Sequence, residues 1–334
     1  LDYFLHSMSE NEENEAIVAI TEENPVSPPA TKKIKHLVIS GGGTIGFMFY
    51  GALKESHQRG IWNMADIKTI HATSAGSVVS TFLALQFDWK TIDDYIIKRP
   101  WQNVFQFNMS HILSSFHERG ILDVRVMNQM FQPLFSAKDI SLDVTMEEFY
   151  QRTGVELHIF VTNINTIELV DISYKTHPDW RLIEAIYCSC ALPIIFKPMV
   201  KGGSCYCDGG FIRNYPIKEC IDSGADPDEI FGLCKYSRID PSGNIVGEES
   251  SIFDYLFSIV CKIFLVHLCP KFVPIKYQLT LEVAMTSLND YFRSANCSAE
   301  RTRLIELGKD AFLKKYGGSQ EEDKGKDPIH SKSS

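Results

Sequence analysis

Little in this chain is strongly basic. Its largest cationic cluster is Lys32-Lys33-Ile34-Lys35, and its formal net charge is −9. That balance excludes the electrostatic footprint of a nucleic-acid binder. The N-terminus lacks the basic start and apolar core of a secretory signal peptide. No helical stretch supplies the roughly 20 apolar residues that a bilayer span requires. No repeat recurs, and none of the ten histidines sits in a recognisable motif. The nine cysteines include two C-x-C pairs, Cys188-Ser189-Cys190 and Cys205-Tyr206-Cys207, but lack the C-x₂₋₄-C spacing of zinc sites. No carboxylate loop for calcium is present. The expectation is a cytosolic, soluble protein with reduced thiols, no metal and no organic cofactor.

What is present is an ordinary globular composition over 334 residues, enough for one large domain with an extension. Residues 1–35 are acidic and end Pro25-Val26-Ser27-Pro28-Pro29, so they read as a disordered tail and linker. Residues 317–334 read as a second disordered tail. Both tails are net acidic, which leaves about −4 for the body.

The body is organised around Lys35–Ser77. His36–Ser40 is a short apolar run read as a buried strand, followed by Gly41-Gly42-Gly43-Thr44-Ile45-Gly46 and a helical pattern. A second strand, Ile67–His71, runs into Ala72-Thr73-Ser74-Ala75-Gly76 and then a helix from Val78 to Phe87. Helices are predicted at Thr91–Lys98 and Val124–Phe135. Between them lies the irregular apolar segment Trp101–Gly120, expected to pack on the core. Thr145 and Glu148 form a capping-box pattern. Leu157–Thr162 and Ile167–Ile172 alternate like paired strands, and Trp180–Cys188 reads as a helix. Ser204–Cys207 is a strand that delivers Asp208-Gly209-Gly210, with a helix at Ile217–Asp222 and a strand at Glu229–Cys234 to follow. Strands separated by helices in this way predict a mostly parallel sheet covered on both faces. Beyond Ser251 three helices are expected: Ile252–Leu268, Tyr277–Phe292 and Arg303–Lys315. The first is apolar nearly all round and is read as buried, with an interfacial lipid-docking helix as the alternative.

Two features could carry chemistry. The glycine turn satisfies G-x-G-x-x-G, the dinucleotide fingerprint, but the strand after it ends His71-Ala72 without the carboxylate that ribose recognition needs. The serine corner accounts for the same glycines better. A serine on a sharp strand-to-helix turn needs small residues two before and two after it, here Ala72 and Gly76. Ser74 would then lie at a helix N-terminus, where free N–H groups favour a developing negative charge. Gly41–Gly43, at the end of a neighbouring strand, can turn further N–H donors toward it. His71 adjoins the elbow but reads as a packed strand residue.

With GGG-x-x-G, A-x-S-x-G and Asp208-Gly209-Gly210 in this order, and with Ser189–Pro193 and Asn214–Ile217 around the last motif, the chain resembles the patatin-like phospholipases from about Lys35 to Ser223. The resemblance implies a three-layer α/β/α fold with a mostly parallel central sheet, here followed by a C-terminal helical region. It implies a catalytic domain over 36–223, with 224–316 packed on it. It implies a Ser74–Asp208 dyad that cleaves acyl esters of lipids, with Gly41, Gly42, Gly43 and Ala75 around the oxyanion. Ala72, Gly76, Gly46, Gly209 and Gly210 would support the motifs. An acyl-lipid substrate, a peripheral membrane surface and a protein activator are the partners in view. Three positions depart from the family pattern: Ser40 replaces the acid before the glycines, Ile45 replaces a basic residue, and Ala72 replaces glycine. A catalytically inactive lipid-binding protein on the same fold is the alternative.

Overall fold

A computed structural model describes residues 32–105, 117–237, 246–250, 252–267, 273–283 and 293–317. Its centre is an eight-stranded sheet. Five strands run parallel in the order β10 (Tyr277–Val283), β9 (Ile230–Ser237), β1 (His36–Ile39), β2 (Thr69–Thr73) and β4 (Glu156–Asn163). β5 (Glu168–Ile172) and β8 (Ser204–Asp208) both pair antiparallel with β4, and β7 (Met199–Lys201) pairs with β8. A separate parallel pair joins β3 (Gly120–Leu122) to β6 (Ile194–Phe196).

The pairing of β4 fixes the functional site. β5 covers Ile159–Asn163 on one edge. The other edge is divided: β2 takes Glu156–Phe160 and β8 takes Val161–Asn163 from the opposite direction. Thr73 is registered on Phe160 and Asp208 on the next residue, Val161. Two strands thus meet end to end along one edge, one leading into Ser74 and the other ending in Asp208.

Both faces of the sheet are covered. Leu37 and Ile39 point into the main core, whereas Val38 points into a smaller cluster with Tyr215, Ile217 and Cys220. This alternation is the period-2 geometry of a strand buried on both sides. The larger layer includes α1 (Gly46–Gln58), α2 (Ala75–Ala84), α3 (Trp89–Lys98), α4 (Arg125–Ser136), α5 (Met146–Thr153) and α6 (Leu182–Cys190); the smaller carries α7 (Ile217–Asp222). α5 starts at the Thr145–Glu148 capping box expected from sequence and stops at Gly154, whose φ of 69° suits glycine.

The C-terminal region departs from the sequence reading in two places. Tyr277–Val283 is a strand, not the start of a helix; Tyr277, Leu279, Leu281 and Val283 alternate with Gln278, Thr280 and Glu282, and the segment lies parallel on β9. The period of two, favoured by β-branched and aromatic residues, outweighed the helical count. Residues 284–292, the rest of that expected helix, lie outside the described residues. α8 (Ile252–His267) is not buried all round: Phe257 and Ser258 face inward, whereas Ile252, Tyr255, Leu256 and Ile259 are exposed. α9 (Ser298–Tyr316) packs on α1 through two glycines. A Cβ on Gly308 would strike the Met48 carbonyl, and one on Gly51 would strike that of Ile305. This close crossing makes α9 part of the core. The core also takes in one residue of the expected linker, Ile34, which is buried, while Lys35 pairs with Glu229 at 2.6 Å. Trp101 and Val104 pack on the core as expected; 106–116 lie outside the described residues.

Candidate active site

Ser74 sits between β2 and α2 with φ 54° and ψ −127°, a conformation unusual for a residue with a Cβ. The neighbours over-determine it. Its N–H donates to Ser189 Oγ at 2.8 Å, and that hydroxyl donates to the Phe160 carbonyl at 2.7 Å. Its carbonyl accepts from the Ser77 N–H at 2.8 Å and the Ser77 hydroxyl at 2.6 Å. The turn needs small neighbours, and it has them. Ala72 is fully buried in β2, and a Cβ on Gly76 would lie 2.5 Å from the Ile39 carbonyl oxygen. Gly76 therefore lets α2 begin directly across the end of β1.

The Ser74 hydroxyl donates to Asp208 Oδ2 at 2.7 Å. Asp208 is buried, and its other oxygen, Oδ1, accepts from the Gly210 N–H at 2.8 Å. Burial pushes this carboxyl up to about 6, against the opposing pull of the hydrogen bonds from Ser74 and Gly210. Gly209 closes the corner, since a Cβ there would strike the Phe160 carbonyl.

The glycine turn divides into two roles. Gly41 donates its N–H to the Asn214 carbonyl at 3.0 Å, so it is removed from the expected ring of oxyanion donors. Its missing side chain serves packing: a Cβ would lie 2.5 Å from Asn214 Oδ1 and 3.0 Å from Ser74 Cβ. Gly42 precedes a short 3₁₀ turn, and Gly43 opens it with φ 57°. Gly43 is the first residue of that turn and Ala75 the first of α2, so neither N–H has an acceptor in its own helix. Both border the same cavity as Ser74 and Asp208. Gly46 begins α1, and a Cβ there would press on Ala75 Cβ at 3.3 Å.

The other positions singled out from sequence are accounted for. Ile45 is buried in the core. Ser40 accepts from the Lys235 N–H at 2.9 Å and donates to the Gly41 carbonyl at 3.2 Å, tying the loop to β9. Asp66, the acid considered for ribose binding, pairs with Lys33 at 2.9 Å. Cys188, Cys190 and Cys207 are buried, and burial raises all three thiols; among the described residues no cluster of three or more His, Cys, Asp or Glu has metal-binding geometry. Two contributors carried no role in the sequence reading. Ser189 holds the backbone of Ser74, and Asn214 holds the glycine turn, also donating Nδ2 to the Gly41 carbonyl at 3.2 Å. Their signal was the resemblance of Ser189–Pro193 and Asn214–Ile217 to the family pattern.

The cavity beside the pair has a volume of about 190 Å³ and is lined mainly by apolar side chains, among them Val78, Phe82, Trp101, Met127 and Met130. A model of the patatin-like phospholipase family matches residues 37–221. The chain belongs to this family. Among curated relatives, it is 27% identical over 192 residues to the probable lipid hydrolase 463L of Invertebrate iridescent virus 6, covering 57% of this chain and 64% of that protein. It is 28% identical over 201 residues to the uncharacterized protein R571 of Acanthamoeba polyphaga mimivirus, covering 60% of this chain and 65% of the relative. The chain therefore spans a little under two thirds of each. It is also similar to triacylglycerol lipase ptl3 of Schizosaccharomyces pombe, 25% identical over 190 residues, 51% of this chain and 37% of that one. Among solved structures, VipD from Legionella pneumophila aligns over 82% of this chain and 67% of its own at TM-score 0.46 and 15% identity. Among the described residues, no helix of this member of the family is long and apolar enough to cross a membrane.

Proposed function

We propose that the protein is a lipid acyl hydrolase of phospholipase A or lysophospholipase type, with Ser74 as nucleophile and Asp208 as base. The observation that carries the reading is the 2.7 Å hydrogen bond from the Ser74 hydroxyl to a buried carboxylate, at the wall of an apolar cavity. Burial brings Asp208 closer to the pKa of an effective base while leaving it ionised at neutral pH.

In the first step Ser74 Oγ bonds to the ester carbonyl carbon and its proton passes to Asp208 Oδ2. The N–H groups of Gly42, Gly43 and Ala75 receive the oxyanion. Collapse of the tetrahedral species breaks the ester C–O bond, and the departing alcohol takes the proton from Asp208. Water then adds to the acyl-enzyme, giving a proton to the same carboxylate; the fatty acid leaves and the proton returns to Ser74. The exposed apolar stripe of α8, spaced i, i+3, i+4 and i+7 at Ile252, Tyr255, Leu256 and Ile259, supports a peripheral membrane surface as the source of substrate.

The test is fatty-acid release from mixed phospholipid vesicles in EDTA by wild type, Ser74→Ala and Asp208→Asn, each verified as folded. Release by wild type alone is expected. Equal release by all three would remove the dyad from consideration. If none releases fatty acid, a fluorophosphonate label on Ser74 points to a missing activator, and an unlabelled Ser74 to the inactive lipid-binding alternative.

A further inference from the structure

The catalytic cavity is followed by a second one. Ala75, Val78, Val79 and Phe82 recur on one face of α2 and line the first; Phe82, Leu83 and Gln86 continue into the second, which has a volume of about 400 Å³. α2 itself, Ala75–Ala84, advances roughly 14 Å, and the second cavity continues past its end to Gln86, which together suit an extended long-chain acyl group. Among the described residues, only Tyr50 and Phe82 belong to the walls of both cavities. They differ in how they are held. The Tyr50 hydroxyl is fixed by Asp93 at 2.8 Å, and Asp93 in turn holds Lys54. Phe82 has ring contacts alone, with Tyr95 and Phe131.

We propose that the second cavity receives the methyl end of a long acyl chain whose carbonyl lies at Ser74, with the Phe82 ring as a movable partition that sets chain-length preference. This rests on the hydrolase reading of Ser74 and Asp208. The chemistry of the walls selects a tail rather than a head group. Trp62, Met64, Phe87 and Ile92 are apolar, and the half-buried imidazole of His57 is engaged at Nδ1, which accepts from Trp89 Nε1 at 3.2 Å. Asp88, at the outer end, is engaged as the cap of α3, accepting from the Thr91 N–H at 2.9 Å. An apolar occupant leaves these hydrogen bonds in place.

Two of the four tryptophans, Trp62 and Trp89, line the second cavity, and Trp101 lines the first. The test uses C16 and C8 fatty acids brominated at their terminal carbons, bound to wild type and followed by quenching of tryptophan fluorescence. Trp62→Phe, Trp89→Phe and Trp101→Phe assign the components. The C16 acid is expected to quench the Trp62 and Trp89 components, the C8 acid only that of Trp101. In parallel, the ratio of kcat/KM for C16 over C8 esters should rise about tenfold in Phe82→Ala and fall about tenfold in Leu83→Phe. A wild type that cleaves esters, with C16 quenching confined to Trp101 or an unmoved ratio in both folded variants, overturns the second cavity as an acyl site and leaves the hydrolase reading intact. Quenching of Trp62 and Trp89 in a protein that cleaves no ester and takes no fluorophosphonate label at Ser74 overturns the hydrolase reading instead, and keeps the cavity as an acyl site.

Discussion

His71 lies flat against His158, their ring centroids 4.1 Å apart and their planes 5° from parallel. Only one of the two carries charge. Burial lowers the pKa of His158, but a hydrogen bond to Asp171 at 2.7 Å and the ion pair with Glu156 at 3.1 Å outweigh it and hold the imidazole at about 9. Burial first, and then the facing His158 cation, keep His71 well below its ordinary range and neutral. Lys175 adds further positive charge near the pair and is itself bound to Glu156 at 2.9 Å.

Because the folded pKa of His158 lies above the unfolded value near 6.5, its stabilisation is complete below pH 6.5 and is lost as pH rises through about 9. Urea unfolding should show wild type losing on the order of 2–3 kcal/mol between pH 6.5 and 9.5. His158→Gln should be less stable than wild type at pH 6 and should lack that decline. A wild type equally stable at both ends of the range would refute the assignment of charge to His158.

Asp208 shows linkage of the same sign in a lower window. Its folded pKa of about 6 exceeds the unfolded value of 3.8, so the native state binds more protons between those values and stability falls as pH rises through the window. Asp208→Asn keeps the shape and can donate to Ser74 while accepting from Gly210. It should therefore be more stable than wild type at pH 7.5, on the order of 2 kcal/mol, and show no such gain at pH 4. The kcat/KM of wild type toward a soluble ester should rise with pH through about 6, the free enzyme's essential base. A flat profile from pH 4.5 to 7.5 would take the base role from Asp208.

The backbone of Ser74 makes a separate prediction. Ser74→Ala and Ser74→Gly both lose the hydroxyl and its bond to Asp208, but only glycine adopts φ 54° without strain. Thermal melts should place Ser74→Gly above Ser74→Ala by about 1 kcal/mol, with both inactive. Equal melting points would mean that the corner is relaxed.

The exposed stripe of α8 is tested by Leu256→Glu combined with Ile259→Glu. Both side chains face outward, so folding should be unaffected. Hydrolysis of vesicle lipid should fall about tenfold while hydrolysis of a soluble short-chain ester is kept. Parallel losses on both substrates would assign α8 to the fold rather than to a membrane.

The strands of the nucleophile unit, the elbow and the Asp208 turn were legible in the sequence because each depends on local rules: apolar runs bounded by glycine, and small residues where a Cβ would strike backbone. The meeting of Ser74 with Asp208 was legible only through motif order, since no local rule reveals that β2 and β8 share one edge of β4. The exclusion of Gly41 from the oxyanion donors was hidden for the same reason. Its N–H is taken by the carbonyl of Asn214, a partner 173 positions away. Tyr277–Val283 was misread because a period of two and a period of 3.6 compete over a short segment, and it was the open edge of β9 that decided.

The two glycines at the crossing of α1 and α9 have a consequence for the order of events in synthesis. α1 begins at Gly46, against the first residue of the nucleophile helix, and its outer flank is closed by a helix that starts only at Ser298. Asp208 likewise reaches the serine from 134 residues downstream. A chain still emerging from the ribosome therefore holds Ser74 long before it holds Asp208 or the clasp. In the cell that makes this protein, the Ser74–Asp208 site is complete and clasped only once the segment from Ser298 has been delivered.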